Sequence, residues 1–402
     1  MYWLFRCDFM DIVLCVTGSI AATETIKLAR EFRRQGHNVK AFMTKEACKI
    51  IHPNALEFAT GQEVVTELTG KIEHVRYSQE DLILVAPATA NTISKFAYRI
   101  SDNPVNTLLI TAFGHNTPIV FVPSMHDSMY DAVSENVEKL KKDGIVFVNP
   151  RIEEGKAKFP AIEDIVLSSI RTVNLDKAQK NEASDEISKF ADKNVLISLG
   201  GTFEEIDPIR GISNRSSGRM GLELAKEAYI RGANLKILAA HHEVNIPKSF
   251  DVVNAESSGL MNEKANELIP DYDIFIATAA VSDFTPIKKE NHKISSSLNL
   301  SLDFEPVAKI IRQIKKINPN IYLVGFKAEY DISEERMIEC AKTQMKEAGT
   351  DLVVANDVAS EGCGFGSLTN EVILLNDEIK KVDLSSKSEI AKCIFDEIAN
   401  NI

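Results

Sequence analysis

Short, nearly unbroken apolar runs alternate along the chain with longer stretches in which apolar residues recur every three or four positions. The runs are too short for helices and lack polar alternation, so they predict strands buried on both faces of a parallel sheet. Asp11 to Thr17 (DIVLCVT) is the first, followed by Gly18-Ser19-Ile20-Ala21-Ala22 and an amphipathic helix to Arg34 that Gly36 closes. NVKAFMT is the next strand, completing a βαβ unit with a small-residue turn at its crossover. Further strands are predicted at Asp81 to Ala86 and Pro118 to Val122, with helices after Asn91, after Pro104 and from Asp131 to Lys142.

Between Ile165 and Lys193 the period becomes helical and then gives way to NLDKAQKNEASDEISKFADKN, charged and poor in large apolar residues, which reads as a connector. The second half repeats the alternation. NVLISLG, LKILAA, DIFIATAA, IYLVGF, DLVVAND and EVILL are its strands, and Met220 to Arg231, Ser333 to Ala348 and Ser388 to Ala399 its helices. The fold expected is α/β: two open, mostly parallel, doubly wound domains of Rossmann or flavodoxin type, at 1–174 and 194–402, joined by 175–193. Each is expected to take its ligand at the C-terminal ends of its strands.

At 402 residues the chain is long for a single core, and its 44% apolar fraction is that of a soluble globular protein. A formal charge of -12 argues against a non-specific nucleic-acid surface, though small polyanions need only local cations. No apolar run approaches bilayer length, and MYWLFRCDFM is unlike a secretion signal, so the expected location is the cytoplasm. With the first strand starting at Asp11, Met10 is an alternative start. The six cysteines lie far apart without a C-x-x-C pair, which favours buried thiols over zinc or disulfides.

The densest chemistry lies in the middle, in NVLISLGGTFEEIDPIRGISNRSSGRMG. A strand runs straight into Gly200 and Gly201, and Asn214-Arg215-Ser216-Ser217-Gly218 then offers amide, guanidinium and hydroxyl donors just before a helix. An ordinary strand-to-helix connection would explain one glycine pair. Two glycine turns and a donor-rich loop in one unit favour a nucleotide site, although the spacing is not G-x-G-x-x-G. In the first half, GSIAA, PATANT, SDNP and PSMHDSM are read as lying where strands end; together they suggest a flat phosphorylated cofactor, with Met125 and Met129 available to pack on a ring.

GSIAA, His74 in KIEHVRYSQED, PATANT and PSMHDSM, in that order, resemble the flavin-dependent cysteine decarboxylases. GGTFEEIDPIRGISNRSSGRMG, AAVSDF, GFKAE and VANDV are similar to phosphopantothenate-cysteine ligases, and the tandem resembles the bifunctional coenzyme A biosynthesis proteins from about Asp11 to Ile398. The resemblance implies an FMN-dependent first domain that converts 4'-phosphopantothenoylcysteine to 4'-phosphopantetheine, the flavin oxidising the thiol so that CO2 leaves from beside a thioaldehyde. It implies His74 as the catalytic histidine, and Gly18, Ser19, Ile20, Thr44, Ala88, Thr89, Asn91 and Met125 around the flavin. His126, Met129, Lys156, Lys158 and Arg215 are the implied substrate contacts.

For the second domain the resemblance implies CTP, 4'-phosphopantothenate and cysteine as reactants, an acyl-cytidylate, Mg2+, and Asn214 in its conversion. Gly200, Gly201, Ser216, Ser217, Gly218, Asp283, Lys293, Phe326, Lys342, Lys346 and Asn356 are the implied nucleotide contacts; metal ligands are not implied. Decarboxylase trimers and ligase dimers would give a homo-oligomer, up to a dodecamer. Three departures stand out: His126 replaces an asparagine, the flap Asn149 to Pro160 lacks a cysteine, and the K-x-K-K motif is reduced to Lys293-Ile294-Ser295-Ser296. They leave open CTP against ATP, and the alternative of a ligase whose flavin domain has altered or regulatory activity.

Overall fold

The parallel sheets expected from the apolar runs are present in the computed structural model, which describes residues 9–153, 156–295 and 300–402, without the side chains of residues 152, 153, 156, 157 and 185. The chain divides after Glu182 into two compact units.

In the first unit the elements are β1 (Asp11–Val16), α1 (Thr25–Arg34), β2 (Asn38–Met43), α2 (Pro53–Thr60), α3 (Glu73–Arg76), β3 (Leu82–Ala88), α4 (Ala90–Ala97) and α5 (Pro104–Gly114). They continue with β4 (Ile119–Pro123), β5 (Met125–His126), α6 (Asp127–Ala132), α7 (Ser134–Lys142), β6 (Val146–Phe147), β7 (Arg151–Glu153), β8 (Lys156–Lys158) and α8 (Ile162–Gln179). The main sheet runs β2-β1-β3-β4-β6, with every pairing parallel. Its strands are apolar on both faces because helices cover both. Leu28, Ala29 and Phe32 put the buried stripe of α1 against the sheet, while Phe96, Phe121 and Phe147 stack in sequence at 5.7 and 5.4 Å. The helix read as continuous from Asp131 to Lys142 is two helices meeting at Val133, whose ψ of 8° departs from the helical range.

The second unit comprises α9 (Asp185–Ser188), β9 (Asn194–Leu199), β10 (Phe203–Glu205), β11 (Gly211–Ser213), α10 (Arg219–Ile230), β12 (Asn234–Ala239), β13 (Asp251–Asn254), α11 (Ser258–Leu268) and β14 (Ile274–Ala277). It continues through β15 (Phe284–Pro286), β16 (Phe304–Pro306), α12 (Ile311–Ile317), β17 (Tyr322–Glu329), α13 (Glu334–Ala348), β18 (Leu352–Asp357), β19 (Thr369–Leu375), β20 (Ile379–Ser386) and α14 (Lys387–Asn401). Its eight-stranded sheet has the order β13-β12-β9-β14-β17-β18-β19-β20. The pairings from β13 to β18 are parallel, and β19 and β20 complete an antiparallel edge.

The charged stretch read as a connector is partly structured. α8 runs on to Gln179, α9 lies within the stretch, and Phe190 is fully buried with its ring 5.2 Å from that of Phe395. Few apolar residues were visible there, but one phenylalanine in a preformed pocket suffices to hold a segment. All five described cysteines are free, Cys15 and Cys363 buried.

Helices α10 and α14 are joined by a buried guanidinium. Arg231, with 4% of its side chain exposed, bonds Glu227 at 2.7 Å and Asp396 at 2.5 Å, and its plane lies 5.6 Å from the rings of both Phe190 and Phe395. Removing one partner of such a pair strands the other. Arg231→Met is therefore expected to lower stability by about 3–5 kcal/mol, read as an earlier urea midpoint. The double change with Glu227→Met is expected to recover much of that loss.

Candidate functional sites at the two switch points

In each unit the strand order reverses direction at one place, between β1 and β3 in the first unit and between β9 and β14 in the second. Connections leave such neighbours in opposite directions, so a crevice opens beyond their carboxyl ends where ligands settle.

Hydroxyl-bearing residues crowd the first crevice. Thr17, just past β1, donates from Oγ1 to the Pro87 carbonyl at 2.6 Å and accepts from the Thr89 amide at 3.2 Å, locking the end of β1 to the turn after β3. Thr89 then caps α4, accepting from the Thr92 amide at 3.4 Å. Ser19 and Ser124, beyond β1 and β4, approach to 3.5 Å between hydroxyl oxygens. Thr44 is buried beyond β2, its amide bonded to Val16 and its hydroxyl to the Ala47 amide. A Cβ on Gly18 would stand 2.6 Å from the Cβ of Glu46, so only glycine lets the turn pass here. Ala88 is buried, whereas Ile20 is 77% exposed and Asn91 is exposed. Small residues, hydroxyl donors and an uncovered apolar side chain suit a phosphorylated flat ring, so these residues fit a flavin mononucleotide.

Two parts of the expected substrate site are brought together in the same unit. β5 pairs antiparallel with β8, placing Met125 opposite Ala157 and His126 opposite Lys156, and β8 pairs in turn with β7. The flap is thus a hairpin laid against the PSMHDSM segment. His126 is exposed and its Nδ1 lies 2.7 Å from Asp127 and 3.0 Å from Ser128, while Met129 is half exposed. The side chain of Lys156 lies outside the described residues; Lys158 is half-buried.

His74 sits on the four-residue α3, after Ile72. Ile72 has φ 48° and ψ 49°, a left-handed conformation that costs a β-branched residue about 1–2 kcal/mol. Backbone strain of this kind is kept where a side chain must be aimed. The Nδ1 of His74 is buried without a hydrogen-bond partner. Glu73 fixes the preceding loop by accepting from the hydroxyl and amide of Thr69 at 2.5 and 2.9 Å. Those bonds, the hydroxyl's first, lower its pKa to about 2.

The second crevice opens into a cavity of about 550 Å3, walled by Ser216 to Met220, Ala277 to Asp283, Ala308 to Arg312 and Phe326 to Ala328. Gly200 turns at φ +87°, and a Cβ there would lie 2.4 Å from the His241 carbonyl. The adjacent Gly201 amide bonds that same carbonyl, and the Asn214 amide group donates to the Ala280 carbonyl at 2.9 Å across the crevice. Arg215 is exposed beside it. Gly218, in left-handed conformation, opens α10, its amide bonded to the Ser216 hydroxyl, with Ser217 buried. Asp283 is paired with Lys309 at the rim, Phe326 lines the wall, and Asn356 lies buried in it, 3.4 Å from Asn370.

Five of the expected nucleotide contacts are not among the residues lining the cavity: Gly200 and Gly201, in the turn after β9, and Lys293, Lys342 and Lys346. The wall formed by α13 consists of Arg336, Cys340, Thr343, Gln344, Glu347 and Ala348, a stripe along one face of the helix. Lys342 and Lys346 do share a face, but it is exposed and turned from that stripe. Lys293 is exposed in the segment after β15, where neighbouring Ile294 is held by Asp207 and Arg210 instead. Ser296 lies outside the described residues. Six cationic side chains of the cavity wall were not anticipated: Lys309, Arg312, Lys327 and Arg336 are each paired with a carboxylate, whereas Arg219 and Lys387 form no ion pair among the described residues. Nothing in the sequence pattern distinguishes them from solvated cations.

Two doubly wound units with donors gathered at both switch points define a cofactor- and nucleotide-binding α/β protein. Residues 8–174 match the Flavoprotein family and residues 190–402 the DNA/pantothenate metabolism flavoprotein C-terminal domain. A coenzyme A biosynthesis bifunctional protein CoaBC of Thermococcus kodakarensis is 46% identical, covering 96% of this chain and 94% of its own. Those of Methanocaldococcus jannaschii and Bacillus subtilis are 39% and 32% identical, covering 96% and 97% of this chain and 93% and 96% of their own. The chain belongs to the coenzyme A biosynthesis bifunctional protein family.

The lowered Glu73 pKa yields a signed expectation. Its stabilising bonds are fully present above the ordinary value of 4.5 and are lost as pH falls toward about 2. Urea titrations of the wild type and Glu73→Gln are expected to differ at pH 6 and to converge only as pH falls to about 2 and below.

Proposed function

We propose that the chain carries out two consecutive steps of coenzyme A synthesis: ligation of 4'-phosphopantothenate to cysteine in the ligase domain at 194–402, then decarboxylation of 4'-phosphopantothenoylcysteine in the domain at 1–174. Residues 175–193 connect them. The observation that carries this reading is the match of both halves, in this order, to a bifunctional family over nearly the whole chain, with a donor-lined crevice in each half.

In the first domain Gly18, Ser19, Thr44, Ala88, Thr89 and Asn91 would hold FMN, with Ile20 and Met125 against the ring. Bound flavin supplies an electron-pair acceptor, without which a simple carboxylate has no stable carbanion to leave behind. His74 takes the proton that accompanies oxidation of the substrate thiol, its strained α3 setting the ring's direction and its unpaired Nδ1 leaving room for a substrate hydrogen bond. His126 donates to the substrate carboxylate, and the flap, with Lys156 and Lys158, closes over it. The flap contains no cysteine, so the proton returned in the last step comes from another acid; this reading assigns it to His126, whose strand pairs with that of the flap.

In the ligase domain the pantothenate carboxylate attacks the α-phosphorus of CTP, pyrophosphate leaves, and the amine of cysteine displaces CMP. Asn214 and the first-turn amides of α10 donate to the oxygens on which charge develops. Among the described residues no cluster of three His, Cys, Asp or Glu is placed to hold a metal, which suits a Mg2+ carried on the nucleotide phosphates. No described helix is long and apolar enough to cross a membrane; the proposed setting is the cytoplasm, as a homo-oligomer of decarboxylase trimers and ligase dimers.

Incubating the purified chain with 4'-phosphopantothenate, cysteine and CTP, and in parallel ATP, is expected to release pyrophosphate and CO2. His74→Asn is expected to lower CO2 release by about 100- to 10,000-fold while pyrophosphate release is unchanged. A colourless protein that takes up no FMN and releases no pyrophosphate from either nucleotide would overturn the assignment.

A further inference from the structure

Of the six cationic side chains that line the second cavity, four are paired with carboxylates, and the other two are left unused by the reading above. Lys387 is the first residue of α14, lines the cavity and is only 9% exposed. Its side chain is not needed to start the helix, because Ser386 and Glu389 already form a reciprocal cap there. Arg219, the first residue of α10, lines the same cavity, and its Nε is buried without a hydrogen-bond partner. Neither cationic head forms an ion pair among the described residues.

Charged and titratable groups facing Lys387 are Arg219 and Glu223 of α10 and Cys363 of the loop before β19. Glu223 is the one acid among them; its Oε1 is bonded to Lys226 at 3.2 Å and its Oε2 is buried without a hydrogen-bond partner, so one carboxylate stands against three cations. Burial first, and the Arg219 guanidinium second, hold the Lys387 ammonium below the usual lysine range. Removing a cation from water without a committed counter-ion is costly, and such groups persist where a ligand supplies the missing charge. A single carboxylate would need one cation. Two cations at the first turns of two helices, Arg219 on twelve-residue α10 and Lys387 on fifteen-residue α14, beside buried Ser217, suit an anion carrying several charges.

We propose that Lys387 and Arg219 form the subsite for the terminal phosphates of the nucleoside triphosphate and hold pyrophosphate as it departs. The inference rests on the ligase reading. When the carboxylate oxygen bonds to the α-phosphorus, the bond from that phosphorus to the bridging oxygen breaks and its electron pair leaves on pyrophosphate. Lys387 and Arg219 offset that charge and transfer no proton. Lys387 is thus a phosphate-contacting residue that acts on the leaving group.

The test uses the full chain and calorimetric titration with CTP, CMP and inorganic pyrophosphate. Lys387→Met is expected to weaken CTP and pyrophosphate by about 10- to 100-fold, the loss of one charge-assisted bond, and to leave CMP within about 3-fold. Lys387→Arg is expected to restore most of the loss. Equal weakening of CTP and CMP, or no weakening of either, overturns the proposal. Should Lys387→Met fail to fold, reductive methylation of the wild type decides: pyrophosphate is expected to protect Lys387 at least about 5-fold, and equal labelling with and without it overturns the subsite. If the wild type releases no pyrophosphate from CTP or ATP, the ligase reading itself falls and this inference falls with it.

Discussion

A central strand whose neighbours depart in opposite directions leaves a gap beyond its carboxyl end that no connection crosses, and both units are organised around such a gap. The backbone bordering it has to turn sharply without bulky side chains and to satisfy its own polar groups. Gly18 with Thr17 and Thr89 meets that demand in the first unit, and Gly200 with Asn214 and Ala280 in the second. The same donors that close the backbone's hydrogen bonds are those that a phosphate would address.

The two gaps are furnished differently. The first is rimmed by hydroxyls and by exposed Ile20 and Met129, a polar floor with an apolar border suited to a ring that carries a phosphate. The second is a cavity of about 550 Å3 with cationic residues at the first turns of α10 and α14, where a multiply charged anion gains most. Arg231, buried between those two helices and paired with Glu227 and Asp396, keeps the helices, and so Arg219 and Lys387, in register. A polar network inside the core thereby sets the geometry of a site at the core's edge.

The departures at His126, in the flap and after Lys293 acquire positions in the fold. His126 lies on the strand that pairs with the flap, so the two changes fall on facing strands of one small sheet. The segment after Lys293 is tied down by Arg210 and Asp207. Arg219 and Lys387, cationic residues of the cavity wall that form no ion pair among the described residues, come from elements remote in sequence from that segment.

The amino-acid sequence alone determined the buried parallel strands, because continuous apolar runs such as DIVLCVT and NVLISLG are stable only when covered on both faces. It also determined the two glycine turns and the ordered motifs that resemble the coenzyme A biosynthesis proteins. The polar edge strands β13 and β20 and the short helix α12 were illegible, since half-exposed edges show little hydrophobic period. Only the tertiary structure decided which face of α13 meets the cavity, with Lys342 and Lys346 on another, exposed face, and which cations lie in its wall. Burial of a lysine or arginine is a property of what packs around it, and Arg219 and Lys387 become neighbours only when residues far apart in the chain are folded together.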